Sequence, residues 1–182
     1  MRAVIVRHGN TFEPGDPPRR IGARTDLSLV ESGKAQAAAL AACFAETEFH
    51  RCLVSPLRRT RETAAIIAPN LPLEKAPWLC EIDHGPDEGA TEAAVQARLG
   101  TEALASWEKY AAPPPGWVVD APARIAAWRS FFAEARGTIL LVTSNGAARF
   151  ALAALRLPPA RLRTGAYGEI ISGRVTAWDV RP

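Results

Sequence analysis

Short apolar runs alternate with longer helical stretches along this chain, and that alternation limits the folds open to it. The runs at 2–7, 51–54 and 138–143 have the length and composition of buried strands. Stretches with apolar residues at helical spacing separate them. The pattern predicts an α/β protein, a three-layer α/β/α sandwich around a mainly parallel central sheet.

The same pattern predicts the remaining elements. We expect helices over 31–47, 91–110 and 122–135, helices beginning at Ser55 and Asn145, and strands over 73–76, 167–172 and 174–180. Ser55 is expected to cap its helix, with Pro56 in the first turn. The last two strands are expected to pair as a hairpin. Residues 1–182 are long enough for one full core and too short for two, which predicts a single domain.

The composition is that of an ordinary globular protein, and it argues against a membrane-spanning or a nucleic-acid-binding protein. Apolar residues make up 48% of the chain and charged residues 23%, and no apolar run approaches the ~20 residues of a membrane span. The net charge is +3, and the basic residues are scattered, so we expect no nucleic-acid or membrane partner but allow small anionic ligands. Without a signal-peptide pattern, and with Cys43, Cys52 and Cys80 lacking metal-type spacing, we expect a cytoplasmic protein with small buried thiols.

Polar side chains gather where three of the predicted strands end. They are Arg7-His8, Ser55 to Arg59, and Ser144-Asn145. In open α/β sheets, ligand sites form beyond the carboxyl ends of the strands, and helix N-termini there favour anions. We therefore expect the three corners to face one anion-binding cleft.

The first corner carries the strongest chemical signal. A neutral His8 offers a lone pair for nucleophilic attack, and Arg7 offers a fork of donors suited to a phosphate. Gly9 has no side chain to keep backbone or substrate away from the imidazole. The alternative for any lone histidine is a surface position or a satisfied core position, but here the rest of the chain supplies matching parts.

Three motifs follow one another along the chain. They are Arg-His-Gly-Asn-Thr at 7–11, Ser-Pro-Leu-Arg-Arg-Thr-Arg-Glu-Thr-Ala at 55–64, and Leu-Cys-Glu-Ile-Asp-His-Gly at 79–85. In this order they resemble Arg-His-Gly-Glu/Gln-Thr, Ser-Pro-Leu-x-Arg-x-x-x-Thr-Ala and Leu-x-Glu-x-x-x-Gly, the motifs of the histidine phosphatase superfamily in its phosphoglycerate mutase-like branch.

The resemblance implies a role for each matched residue. His8 would attack phosphorus and become phosphohistidine, and Arg7 and Arg59 would hold the phosphoryl oxygens. Glu81 would protonate the leaving oxygen and later activate water. The resemblance implies no metal and no cofactor, because the arginines supply the positive charge. The alternatives are a solvated helix residue for Arg59 and a surface carboxylate for Glu81.

Further residues are candidates for contact with an anionic substrate: Asn10, Thr11, Arg19, Arg20, Arg24 and His84. The alternative for Asn10 and Thr11 is to shape the turn after the first strand. The three arginines lie in the first long loop, where the alternative is solvation. The histidine follows Glu81 by three residues and either reaches the cleft or has a structural role.

Asn145 departs from the family pattern. The second histidine of the family stands in Ser/Thr-His-Gly, whereas residues 143–146 read Thr-Ser-Asn-Gly. An amide can donate an N–H to a phosphoryl oxygen but cannot carry charge, so the change weakens transition-state stabilisation by about 1–2 kcal/mol, or about ten- to thirtyfold in rate. The alternative is that Asn145 only caps a helix.

Together these features predict a metal-independent phosphomonoester hydrolase that forms phosphohistidine on a small phosphorylated metabolite, or less favourably on a phosphoprotein. Two other functions stay open. One is a phosphate-ligand binding module that has lost catalysis through Asn145. The other is a phosphomutase that returns the phosphoryl group to its product.

Overall fold

One mixed sheet organises the computed structural model, which describes residues 1–182. Its six strands are β1 (Arg2–Arg7), β2 (Arg51–Val54), β3 (Leu73–Lys75), β4 (Thr138–Thr143), β5 (Tyr167–Ile171) and β6 (Arg174–Val180), in the order β3-β2-β4-β1-β5-β6. The first four in this order run parallel, and β5 and β6 extend the sheet as an antiparallel hairpin. The prediction of a mainly parallel sheet is confirmed.

Helices cover both faces of the sheet. They are α1 (Glu31–Cys43), α2 (Arg58–Ile67), α3 (Glu92–Tyr110), α4 (Ala121–Glu134) and α5 (Asn145–Ala154). Ile5 of β1 packs in one apolar cluster with Trp128 of α4 and Phe150 of α5. Its neighbour Val4 packs in a second cluster with Leu40 of α1. Because successive strand side chains point to opposite faces, the sheet separates two cores, and the three-layer prediction is confirmed.

The start of α2 differs from the prediction. The helix begins at Arg58, because Leu57 is extended, and Ser55 does not cap it. The Ser55 hydroxyl instead accepts the N–H of Leu57 at 3.1 Å. Asp26 lies in the loop between β1 and α1, and its carboxylate accepts the N–H of Arg58. The cap therefore comes from a distant residue, and its negative charge suits the positive end of the helix.

Two other helices also depart from expectation. The helix predicted over 31–47 ends at Cys43. The helix predicted over 91–110 begins after a Thr91 cap and is interrupted at Gly100, whose φ of 76° and ψ of 165° are not helical. Glycine tolerates this conformation without a side-chain clash. No helix, including this longest one, has the length and apolar character needed to cross a bilayer.

The thiols do not share one environment. Cys52 is buried, Cys80 is partly buried, and Cys43 at the end of α1 is exposed. The expectation of three buried thiols is therefore correct only for Cys52. Cys43 is exposed because α1 presents its last turn to solvent on that side.

The register of the parallel strands places the polar corners side by side. Arg7 of β1 pairs with Thr143 of β4, and Val54 of β2 pairs with Val142. The three strands therefore end at the same edge of the sheet. The residues that follow them start the walls of one cleft, as their sequence positions predicted.

Candidate active site

An open cleft of about 530 Å³ lies at this edge of the sheet. Most of the side chains around it are polar or charged. Nine of the residues singled out in the sequence line it: Arg7, His8, Asn10, Thr11, Arg19, Arg20, Glu81, His84 and Asn145. Arg59 lies behind the cleft in contact with His8. Arg24 does not line it.

His8 is buried and held in one tautomer. Its Nδ1 lies 2.8 Å from the carbonyl oxygen of Gly9. A carbonyl only accepts hydrogen bonds, so Nδ1 carries the proton and Nε2 carries the lone pair. Burial, followed by the charges of Arg59 and Arg7, lowers the pKa of His8 well below its usual value. The imidazole is therefore neutral at physiological pH, and its free lone pair is chemically able to attack an electrophile.

Arg59 is fully buried against His8. Its Nε–H donates to His8 Nε2 at 3.2 Å, and its terminal nitrogens donate to the carbonyls of Thr25 at 2.7 Å and Gly22 at 3.1 Å. This burial excludes the alternative of a solvated helix residue. The neighbouring Arg58 fits that description, because it is exposed.

Arg7 brings a second guanidinium to the cleft. One terminal nitrogen donates to the carbonyl of Leu162 at 3.0 Å, whereas its Nε is buried with no partner. Burial lowers the pKa of Arg7 to about 10, which still leaves it charged at neutral pH. A buried donor without a partner costs free energy, so this N–H favours the arrival of an anionic oxygen.

The loop that carries His8 is clamped between two helices. The N–H of Gly9 donates to the hydroxyl of Thr63 in α2 at 3.2 Å, and that hydroxyl donates to the carbonyl of Arg59 at 2.8 Å. A side chain on Gly9 would collide with the backbone of Gly33 in α1. The glycine thus admits a close backbone approach beside the imidazole.

Glu81 lines the same cleft as His8 and is buried. Its carboxylate accepts the N–H of Ile82 at 2.9 Å and the N–H of Gly146, in the first turn of α5, at 3.2 Å. A Cβ on Gly146 would overlap this carboxylate, so the close contact needs glycine. Burial tends to raise the pKa of Glu81, but the charge of His84 when that ring is protonated, these two N–H donors and Arg59 outweigh it and lower the pKa.

Asn145 occupies the first position of α5. The N-cap is Ser144, so the alternative that Asn145 only caps the helix is wrong. Its Oδ1 accepts the N–H of Leu162 at 2.9 Å, which leaves the Nδ2 donor for a ligand. The side chain therefore presents a neutral donor to the cleft.

Two candidates are engaged in contacts within the protein. The Asn10 side chain donates to Ser32 at 3.3 Å and accepts from Thr164 at 2.6 Å, so it shapes the loop after β1. Arg24 is exposed and pairs with Asp83 at 3.0 Å. For both residues the structure favours the alternative to substrate contact.

No motif or spacing in the sequence predicts the residues at the mouth of the cleft. Arg161 lies there, as do Glu92 and Glu108 of α3. Glu92 pairs with Arg20 at 2.8 Å. Arg161 comes from the segment between α5 and β5, which has no periodic pattern, and only its charge distinguished it. Arg163, two residues further along the chain, has the same charge but pairs with Asp179 instead.

Fold and site together define an α/β protein with a neutral histidine at a strand end, two guanidiniums beside it, and a carboxylate in the same cleft. This arrangement suits phosphoryl transfer, because positive charge surrounds the position of the transferred group. The chain belongs to the histidine phosphatase superfamily (branch 1), whose family model matches residues 3–170.

Individual proteins of known name are similar to this chain. The 2,3-bisphosphoglycerate-dependent phosphoglycerate mutase 2 of Gloeobacter violaceus is 29% identical over 119 residues, which cover 62% of this chain and 53% of that protein. The match thus spans about half the length of this relative. Mycobacterial glucosyl-3-phosphoglycerate phosphatase, solved with VO3, has a TM-score of 0.83 and 25% identity over 98% of each chain. The alpha-ribazole phosphatase of Shigella flexneri has the same fold, with a TM-score of 0.79 and 22% identity over 100% of this chain and 96% of that one.

Proposed function

We propose that this chain hydrolyses phosphomonoesters of small metabolites through a phosphohistidine on His8, without a metal ion. The observation that carries the proposal is the lone pair of a buried, neutral His8 held between Arg7 and Arg59. Membership of the superfamily supports it. So does the likeness to a phosphatase solved with VO3.

In the first step, His8 Nε2 forms a bond to phosphorus while the bond from phosphorus to the leaving oxygen breaks. Arg59 releases Nε2 and donates to a phosphoryl oxygen, and the unpartnered Nε of Arg7 donates to another. These contacts stabilise the charge that spreads over the oxygens in the transition state. The leaving oxygen takes a proton from Glu81.

Glu81 acquires that proton as the substrate binds. In the unliganded protein it is a carboxylate, because its contacts hold its pKa below the usual value. A phosphate dianion nearby disfavours a second negative charge and raises the pKa of Glu81. The carboxyl group then takes a proton from solvent and can act as the acid.

In the second step, water attacks phosphohistidine. Glu81, now a carboxylate again, accepts a proton from the water as the new oxygen–phosphorus bond forms. The nitrogen–phosphorus bond breaks, and its electron pair returns to His8 Nε2. Inorganic phosphate leaves, and the imidazole is neutral as at the start.

The cleft favours a small substrate over a phosphoprotein. Its volume of about 530 Å³ lies within the range of small-molecule sites. Arg161 and Glu108 at its mouth place both signs of charge around the part of the substrate that does not react. Such a mouth suits a phosphorylated compound with carboxylate or hydroxyl groups.

The test combines trapping with a substrate panel. Rapid quenching after exposure to a 32P-labelled phosphoester should yield an acid-labile adduct in the wild type and none in His8→Ala. His50→Ala is the matched control, because His50 is exposed and outside the cleft, and it should label like the wild type. The panel contains glucosyl-3-phosphoglycerate, 3-phosphoglycerate, alpha-ribazole phosphate and p-nitrophenyl phosphate. No adduct and no phosphate release from any of them would refute the proposal.

Asn145 supports a second candidate, a phosphate-binding module without turnover. It places a neutral amide where an imidazole is expected, and this amide cannot gain charge. The module predicts phosphate binding by calorimetry with no turnover, and a large gain from near zero in Asn145→His. The similarity to a mutase adds a third outcome, in which an isomer forms without release of phosphate.

A further inference from the structure

His84 is a buried imidazole in the cleft that the proposed reaction does not use. It is 5% exposed and lines the cleft, and its ring packs edge-on against Trp117 at 4.6 Å between centroids. Its Nδ1 is buried without a hydrogen-bond partner. A polar nitrogen buried in this way needs an explanation beyond packing, because an apolar ring would fill the same space at less cost.

A carboxylate lies behind the ring. Glu88 Oε2 is 3.7 Å from His84 Nδ1, and both side chains are more than nine-tenths enclosed. Glu88 is fixed by the N–H of Gly22 and the hydroxyl of Thr25, each at 2.8 Å from Oε1. Because Nδ1 lies on the side of this carboxylate, we infer that Nε2, on the opposite edge of a ring that lines the cleft, is the nitrogen that meets a ligand.

Opposing charges surround this ring. Glu81, Glu88 and Glu92 favour its protonated form, whereas Arg20 opposes it. Asp87, which also interacts with His84, is already paired with Arg98 and with the indole N–H of Trp117. Burial is the largest influence and lowers the pKa of His84, so the ring is neutral in the unliganded protein.

We propose that His84, backed by Glu88, is the second anion-binding imidazole of this cleft and takes up a proton when a phosphate group binds. This inference rests on the proposed function, since it needs a phosphoryl group beside His8. The proton comes from solvent and adds to Nε2, which then donates to an oxygen of the ligand, while Nδ1–H remains directed at Glu88. His84 thereby supplies the positive charge that Asn145 cannot carry.

The sign of the effect follows from linkage. A bound dianion stabilises the imidazolium, so the pKa of His84 rises on binding and phosphate binds more tightly at lower pH. A rise of one pKa unit corresponds to a tenfold change in affinity across the titration. A residue that only packs against Trp117 would show neither effect.

The test is an NMR titration of the three imidazoles of the wild type, with and without saturating inorganic phosphate. We expect the pKa of His84 to rise by about one unit or more with phosphate. The signal of His50, outside the cleft, should not respond. If the His8 signal shows that phosphate is bound but the pKa of His84 is unchanged, this inference is wrong and the proposed function is not affected. If phosphate does not bind and no phosphohistidine forms, both proposals fail.

Two variants separate proton uptake from packing. His84→Phe keeps an aromatic ring against Trp117, and His84→Gln keeps a donor without charge. Both should lose about tenfold in phosphate affinity at low pH and lose the extra pH dependence of binding, beyond the ionisation of phosphate itself. A wild-type pH dependence in His84→Phe would overturn the inference. Glu88 is a positioning residue here, and Glu88→Gln should lower the pKa of His84 in the phosphate complex.

Discussion

The two walls of the cleft differ in how they carry charge. The β1 wall, formed by Arg7, His8 and Arg59, holds two guanidiniums that stay charged at any physiological pH. The α5 wall, formed by Glu81, His84 and Asn145, holds one carboxylate, one neutral imidazole and one amide. Charge is therefore permanent on the first wall and depends on protonation on the second. In the proposed reaction, the first wall prepares His8 for attack and the second changes its protonation when a ligand binds.

Loss of Arg59 should have the largest effect on this contrast. Arg59→Ala removes the donor at His8 Nε2 and a permanent charge beside the phosphoryl group, so kcat/KM should fall about 10³-fold. Arg58→Ala is the control, because Arg58 is exposed and pairs only with Glu62 on the surface, and it should stay within about twofold. Steady-state kinetics on p-nitrophenyl phosphate measure both. If kcat/KM of Arg59→Ala falls by less than about tenfold, Arg59 does not stabilise the phosphoryl group as proposed.

On the α5 wall, Glu81→Gln should lower kcat by about 10² on an alkyl phosphate, because the amide cannot donate the proton to the leaving oxygen. The loss should be smaller on p-nitrophenyl phosphate, whose leaving group needs less protonation. Comparison of kcat for the two substrates measures the difference. Equal losses on both would show that Glu81 acts only by holding α5.

Replacement of the Asn145 amide by an imidazole should give the α5 wall a group that can carry positive charge, as the β1 wall already does. Asn145→His should raise kcat about tenfold on an active background, since it adds a chargeable donor beside the phosphoryl group. The gain should be larger in a His84→Phe background, where no second imidazole is present. A gain that is the same in both backgrounds would show that residues 84 and 145 act independently.

A matched pair of substitutions compares how well each wall is supported. Thr63→Val removes the acceptor for the Gly9 N–H behind the β1 wall and should lower the free energy of unfolding by about 1–2 kcal/mol. Ser144→Ala, at the start of α5, removes a buried hydroxyl that has no partner and should change it by less than ~0.5 kcal/mol. Urea unfolding at pH 7 measures both values. If Ser144→Ala lowers the free energy of unfolding more than Thr63→Val does, the α5 wall is the one that depends more on its supporting hydroxyl.

The last effect concerns the pH dependence of stability and the β1 wall itself. Because the pKa of His8 is lowered in the folded protein, the unfolded chain binds its proton first as the pH falls below ~6.5, and stability decreases there. The loss from this group is at most about 1.4 kcal/mol per pH unit. His8→Asn should show a shallower decrease between pH 7 and 5. An identical decrease would place the pKa of His8 near that of the unfolded chain.

The β1 wall could be predicted from the sequence because its residues stand at fixed offsets from strand ends. His8 follows the apolar run of β1 directly, and parallel strands end at one edge, so the meeting of the corners followed from the pattern. The same reasoning placed Asn145 at the start of α5. Local sequence was enough wherever backbone geometry alone determined the position of a side chain.

The remaining features depend on contacts between distant segments. Asp26 caps α2 from 32 residues away, which no local signal at Ser55 reveals. His84 is buried because Trp117, from the segment between α3 and α4, packs on its ring. Arg161 reaches the cleft and Arg163 does not, although both are arginines of one short segment. Helix and strand propensities and residue spacing carry no information about these contacts, because tertiary packing determines them.

The interruption of α3 at Gly100 has a consequence for how this cleft can diversify. Glu92 lies in the segment before the break, and Trp107 and Glu108 lie in the segment after it. Because no helical hydrogen-bond ladder runs unbroken through Gly100, a change of length or tilt in one segment is not transmitted rigidly to the other. One part of the cleft mouth can therefore be exchanged at a time, by evolution or by design, while the sheet and the loop that carries His8 stay in place.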